Sequence, residues 1–193
     1  MAWITENRRT ATVERRSEPY LTDEIKNKLA AKYFPRYPNK RAALLPTLHE
    51  IQHAYNWIPV QAMEEAAAFL EMSPAEVLDT ATFYEEYWLK PKGQYLVQVC
   101  RSLSCEICES RKLTDHLIKK LSVQEGETTA DGRFTLIELE CLGACGTAPV
   151  MLINEVLHEN LTIERVDELI AKLPKNPHDY QDPTVTWEDG DDH

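Results

Sequence analysis

Apolar residues recur at helical spacing through the first half of the chain and change to strand-like runs in the second. Thr22 is a candidate N-cap for a helix over DEIKNKLAAKYF, with Ile25, Leu29 and Phe34 near one face. PRYPNK reads as a turn. A second helix opens at Arg41 and Ala42 and carries Leu44, Leu45, Leu48, Ile51 and Tyr55, with Pro46 near its first turn, where a missing N–H costs little. Residues 56–59 break it. Val60 to Leu70 is alanine-rich and predicts a third helix. Ser73, Pro74 and Glu76 form a helix start, cap and proline and glutamate in order, for a fourth helix through VLDTATFYEEY.

Beyond Lys90-Pro91-Lys92-Gly93, a turn and expected domain boundary, the pattern changes. Gln94 to Val99 is β-rich and ends on Cys100. A helix is expected from Cys105 onward, with Ile107, Leu113, Leu117, Ile118 and Leu121 apolar. Phe134 to Leu139 alternates as a strand and ends beside Cys141. A strand after Pro149, a hairpin partner around Glu155 to His158, and a last helix from Thr162 complete the order β-α-β-β-β-α. That order predicts an α+β chain: an N-terminal four-helix bundle over 21–92, then a thioredoxin-like α/β domain over 93–173. Residues 1–20 read as a polar arm. Residues 174–193, proline-bearing and acidic at the end, read as an extended tail.

Charge narrows the function. Among 193 residues, 32 acids against 21 lysines and arginines give a net charge of -11, which disfavours nonspecific binding to nucleic acid or anionic membrane. No apolar run approaches the ~18–20 residues that span a bilayer. The first residues lack an apolar signal core, and Glu6 and Glu14 interrupt any resemblance to a transit peptide. Nor does the chain carry G-x-G-x-x-G, a P-loop or a Ser/His/Asp grouping, so it is expected to bind neither NADH nor quinone by itself.

The cysteines carry the candidate chemistry. All five fall between Cys100 and Cys145, a clustering that favours a metal or redox site over a disulfide framework. Cys100 and Cys105 form C-x4-C; Cys141 and Cys145 form C-x3-C. Both pairs follow strands, and strand ends on one sheet edge lie close together, so four thiolates can meet. Four thiolates suit an iron–sulfur cluster, two per iron in a two-iron cluster. Gly143 and Gly146 would let backbone approach it and donate N–H···S bonds. Three other readings use the same residues. Four cysteines also suit structural zinc. Cys105 and Cys108 make a C-x-x-C of thiol–disulfide exchange type, which leaves the other three cysteines idle. Cys100, Cys105 and Cys108 reproduce the C-x4-C-x2-C of plant-type ferredoxins, though without the glycine-rich loop. Against that last reading, Cys108 is expected to be a small buried helix residue.

VQVCRSLSC, ECLGACGTAPVMLIN and HENLT resemble the cluster-binding half of the E (24 kDa) subunit of respiratory NADH:quinone oxidoreductase, complex I. MSPAEVLDTATFYEEY and HAYNWIP resemble its helical half, and the resemblance runs from about Leu21 to Leu173. It implies a thioredoxin-like [2Fe–2S] ferredoxin with ligands Cys100, Cys105, Cys141 and Cys145. It also implies a subunit, not catalytic alone, that passes single electrons beside a flavoprotein subunit carrying FMN and NADH, with a large iron–sulfur subunit as second partner. Its expected location is the peripheral arm on the cytoplasmic side of the bacterial inner membrane. The same subunit type occurs in NAD-linked hydrogenases and formate dehydrogenases, and a zinc-stabilised interaction module is the alternative of another class. Asn56, where family members usually carry glycine, Cys108 and the acidic tail depart from the pattern. Thr82, Phe83 and Tyr84 are expected to pack in the core. His49 and His53, i and i+4, are expected to be surface or interface histidines.

Overall fold

A computed structural model describes residues 15–180. The chain divides into two compact units between Pro91 and Lys92. In the first, α1 (Asp23–Lys28) starts where Thr22 Oγ1 accepts the Ile25 N–H at 3.3 Å. The expected continuous helix to Phe34 does not form. The chain widens into a π turn over Leu29–Tyr33 and then a 3-10 turn over Phe34–Arg36. Pro35 supplies no N–H for an α-helix to continue through. A 3-10 turn (Lys40–Ala43) leads into α2 (Leu44–Tyr55), and α3 (Val60–Leu70) follows. Asn56 ends α2 at φ 66°, a left-handed position that asparagine tolerates and glycine favours.

Helix α4 (Pro74–Phe83) begins with the predicted box: the Ser73 N–H donates to Glu76 Oε2 at 2.9 Å, and Ser73 Oγ accepts from Ala75 N–H at 3.1 Å. It ends at Phe83, short of the expected Tyr87. Tertiary hydrogen bonds take the next residues instead. Gln52 of α2 donates to the Glu86 carbonyl and accepts from the Trp88 N–H, each at 2.8 Å, and the Ile58 N–H reaches the Trp88 carbonyl at 2.7 Å. The four helices share one core, with Leu21, Leu29, Leu48, Ile51, Ile58, Leu70 and Val77 fully buried. Part of the expected N-terminal arm is held on this unit: Arg15 pairs with Glu64 at 2.7 Å, and the Arg16 guanidinium lies 3.7 Å over the Tyr20 ring. Residues 1–14 lie outside the described part.

The second unit is built on a mixed four-stranded sheet in the order β2-β1-β3-β4. Its strands are β1 (Tyr95–Cys100), β2 (Phe134–Leu139), β3 (Met151–Ile153) and β4 (Val156–His158). β1 and β2 run parallel, Tyr95 opposite Phe134 and Cys100 opposite Leu139; β3 lies antiparallel to β1. The helix expected after Cys105 is broken in two: α5 (Leu103–Ile107) and α6 (Ser110–Leu121), with Glu109 between them at φ 66°. The break aims α5 at a small cluster of Cys100, Cys105 and Val150, while Leu113 and Leu117 of α6 enter the main core. There they meet Tyr95, Val97, Val99, Leu136, Met151, Ile153 and residues of α7 (Ile163–Lys172). Beyond α7 the chain stays against the sheet. The Tyr95 hydroxyl donates to the Pro174 carbonyl at 2.7 Å, and Tyr180 stands edge-on to the Tyr95 ring. The acidic end of the expected tail lies outside the described residues.

Candidate metal centre

Parallel pairing makes β1 and β2 end at the same edge of the sheet. Cys100 is the last residue of β1, and Cys141 lies two residues past the end of β2. The chain then returns toward β3, which is antiparallel to β1. The segment with Cys145, in a 3-10 turn over Cys145–Thr147, therefore arrives at that same edge, where the Cys100 N–H donates to the Val150 carbonyl at 3.1 Å.

Cys105 sits in the middle of α5 and not at a helix start, and α5 turns it inward. Cys100 and Cys105 are both buried; Cys141 and Cys145 are exposed, and all are free thiols. Burial pushes the Cys105 thiol up to about 11; a hydrogen bond with Cys100 adds to the rise, a backbone hydrogen bond from Val150 opposes it, and the Cys145 thiol adds a smaller repulsion. Cys100 and Cys145 thus both act on the Cys105 thiol. Cys141 is anchored differently: its Sγ accepts the Gly143 N–H at 3.3 Å. Gly143 is at φ +76°, so its glycine answers to backbone conformation. A Cβ on Gly143 or Gly146 would meet nothing within 4 Å, so protein crowding explains neither.

Among the described residues no group of three or more histidines, cysteines or carboxylates stands ready as a metal cage. The donor set nonetheless fits an iron–sulfur cluster. It supplies thiols in two pairs on two loops at one sheet edge, an N–H already aimed at a sulfur, and open space beside both glycines. Cys108 is corrected: it caps α5 and is exposed, not a buried helix residue. Thr82, Phe83 and Tyr84, expected in the core, are exposed as well. The His49 and His53 rings lie 6.3 Å apart and belong to no cluster of three ligands among the described residues.

One pair near the thiols is marked by no motif in the sequence. Arg101 follows Cys100, Glu140 precedes Cys141, and their side chains form an ion pair across the two loops. The Arg101 N–H also donates to the Leu139 carbonyl at 2.8 Å. The signal was present as opposite charges at matching offsets beyond two strands, but it needs the register of Cys100 against Leu139 to be read.

A family model described as thioredoxin-like [2Fe–2S] ferredoxin matches residues 30–174. The chain belongs to that family. This ferredoxin is 41% identical over 138 residues to a Rhizobium meliloti (strain 1021) protein, the second E-type subunit of NADH-quinone oxidoreductase, covering 72% of this chain and 82% of that protein. It is 39% identical over 143 residues to NADH-quinone oxidoreductase subunit 2 of Thermus thermophilus, covering 72% of this chain and 79% of the relative. Among solved structures it resembles an NAD+-reducing [NiFe]-hydrogenase in the air-oxidized state, with a TM-score of 0.60 and 29% identity. That likeness covers 67% of the ferredoxin but only 22% of the hydrogenase chain. Among the described residues of the ferredoxin no helix is long and apolar enough to cross a membrane.

Proposed function

We propose that this chain is the electron-transfer subunit of an NADH:quinone oxidoreductase, holding one [2Fe–2S] cluster on Cys100, Cys105, Cys141 and Cys145. The observation that carries the reading is the arrival of both cysteine loops at one sheet edge, in a chain about 40% identical to subunits of that oxidoreductase. When bound, the cluster supplies one-electron chemistry. The protein's part is to hold four thiolates, two per loop. The thiol protons leave on ligation, since cysteine ligates as thiolate. The Gly143 N–H, which donates to the Cys141 sulfur here, would serve the ligated thiolate, and the Arg101–Glu140 pair ties one loop to the other. Cys108 has no part in ligation.

In this reading residues 21–92 are a four-helix bundle, 93–173 the thioredoxin-like [2Fe–2S] domain, 1–20 an arm and 174–193 an acidic tail. FMN and NADH belong to a flavoprotein subunit, and a large iron–sulfur subunit is the second neighbour. The assembly is membrane-bound, with this chain in its peripheral arm on the cytoplasmic side. Likeness to an NAD+-reducing hydrogenase favours a second reading, the same subunit in a hydrogen-oxidising assembly. The first test is spectroscopic. A visible chromophore and a rhombic electron paramagnetic resonance signal on reduction are expected; a colourless protein with one bound zinc overturns the assignment. Cys108→Ser should leave both signals unchanged, whereas Cys145→Ser should abolish or distort them. The opposite result would transfer the third ligand to Cys108.

A further inference from the structure

Phe83 is the most exposed large hydrophobic side chain among the described residues, at 78%. It is also held in place. Its ring stands edge-on to Tyr84 at 5.1 Å, Tyr84 stands edge-on to Tyr87 at 6.1 Å, and the buried Tyr87 donates its hydroxyl to the Leu45 carbonyl at 3.1 Å. An aromatic ring kept in water by a ladder of rings rooted in the core has already lost the freedom that binding would otherwise remove. That is the character of an interface anchor.

Beside it runs an open groove of about 670 Å³, lined by Leu45, Met72, Asp79, Thr80, Phe83 and Tyr84. Its charges are unbalanced. Arg41 and Glu76, which also line it, neutralise each other. Asp79 is exposed and forms no ion pair among the described residues, and neither do Glu85 and Glu86, which follow Tyr84 directly. An apolar anchor bordered by unpaired carboxylates calls for a cationic partner. A second copy of this chain, at net charge -11, would bring like charge to the contact.

We propose that the groove beside Phe83 and Tyr84 receives a short cationic segment bearing one apolar side chain, contributed by another subunit of the assembly. This rests on the reading of the chain as a subunit. The apolar side chain lies against Leu45, Met72 and Phe83, and the lysines or arginines face Asp79, Glu85 and Glu86.

The test is made in the intact assembly, with p-benzoylphenylalanine in place of Phe83 and mass spectrometric mapping after irradiation. The expected product is a cross-link to a lysine- or arginine-bearing segment of another subunit. Phe83→Ala, checked for folding by circular dichroism, should lower retention of the chain in the isolated assembly at least tenfold. The triple change Asp79→Asn, Glu85→Gln, Glu86→Gln should weaken retention and flatten its dependence on salt. A cross-link to a second copy, a cross-link to an acidic segment, no cross-link, or full retention of Phe83→Ala overturns the proposal. Visible absorption is recorded on the unsubstituted chain separated from the assembly and reconstituted anaerobically with iron and sulfide, since the flavin and other iron–sulfur centres of the assembly absorb in the same range. Its absence from the unsubstituted chain sinks the electron-transfer reading, while the cross-link still decides the groove.

Discussion

Gly93 has no room for a β-carbon. A Cβ there would stand 2.6 Å from the Phe134 carbonyl carbon and 2.9 Å from its Cα and nitrogen, all backbone atoms that cannot swing aside. The Gly93 N–H also donates to the buried Thr135 hydroxyl at 2.6 Å, which pins the entry to β1 against β2. Gly93→Ala should therefore cost the second unit about 2 kcal/mol or more, the usual size of an overpacking penalty. Gly146 is the control. It has an ordinary φ and open space beside it, so Gly146→Ala should change stability by less than about 0.5 kcal/mol. Urea unfolding of both variants checks the contrast. Equal losses would mean that the close approach at Gly93 does not constrain the fold.

Helices α6 and α7 meet through a polar clasp as well as an apolar seam. His116 Nε2 lies 2.7 Å and Lys120 Nζ 2.9 Å from the same Asp167 oxygen. The hydrogen bond from His116, and after it that from Lys120, holds the Asp167 carboxyl below its ordinary value of 3.8. A folded-state value below the unfolded one means the clasp stabilises the fold above about 3.8 and is lost as pH falls through the lower folded value. At neutral pH Asp167→Asn should melt at a lower temperature than the unsubstituted chain, and the gap should close on acidification below 3.8. The pair is partly exposed, so the effect is small and weakens with salt. A gap that stays constant to low pH would assign the loss to packing alone. At this scale the sequence was informative wherever the cause was local. The alternation over 134–139 and the capping box at Ser73 each need only neighbouring residues. Where the cause was distant, the pattern misled. Helix α4 stops at Phe83 because Gln52, far back in the chain, captures residues 86 and 88. The left-handed turn at Glu109 falls on a residue that nothing in its neighbourhood marks for such a turn. That Cys100 ends β1 and Cys141 lies just past β2 was legible, because each strand pattern is local. The outward side of Cys108 depends on that unmarked turn and was not.

Among the described residues the two units have no core residue in common. The first core draws on residues between Tyr20 and Leu89, and the second on residues between Tyr95 and Tyr180. Both cysteine loops, the Arg101–Glu140 pair and the Val150 cluster belong to the second. Residues 92–193 are within the usual size of an independently folding domain and contain a sheet buried against α6 and α7. The fragment beginning at Lys92 should therefore fold alone, unfold in one cooperative step and, after anaerobic reconstitution with iron and sulfide, give the same visible spectrum as the full chain. Its first residues need the least help, since the Gly93 and Tyr95 N–H groups are taken within the unit by Thr135 and the Arg133 carbonyl. Circular dichroism and absorption measure both parts of the expectation. A fragment that folds but stays colourless would place a determinant of the metal centre among the helices of the first unit. An unfolded fragment would mean that the second core, with both cysteine loops on it, is stable only when the helical unit is attached.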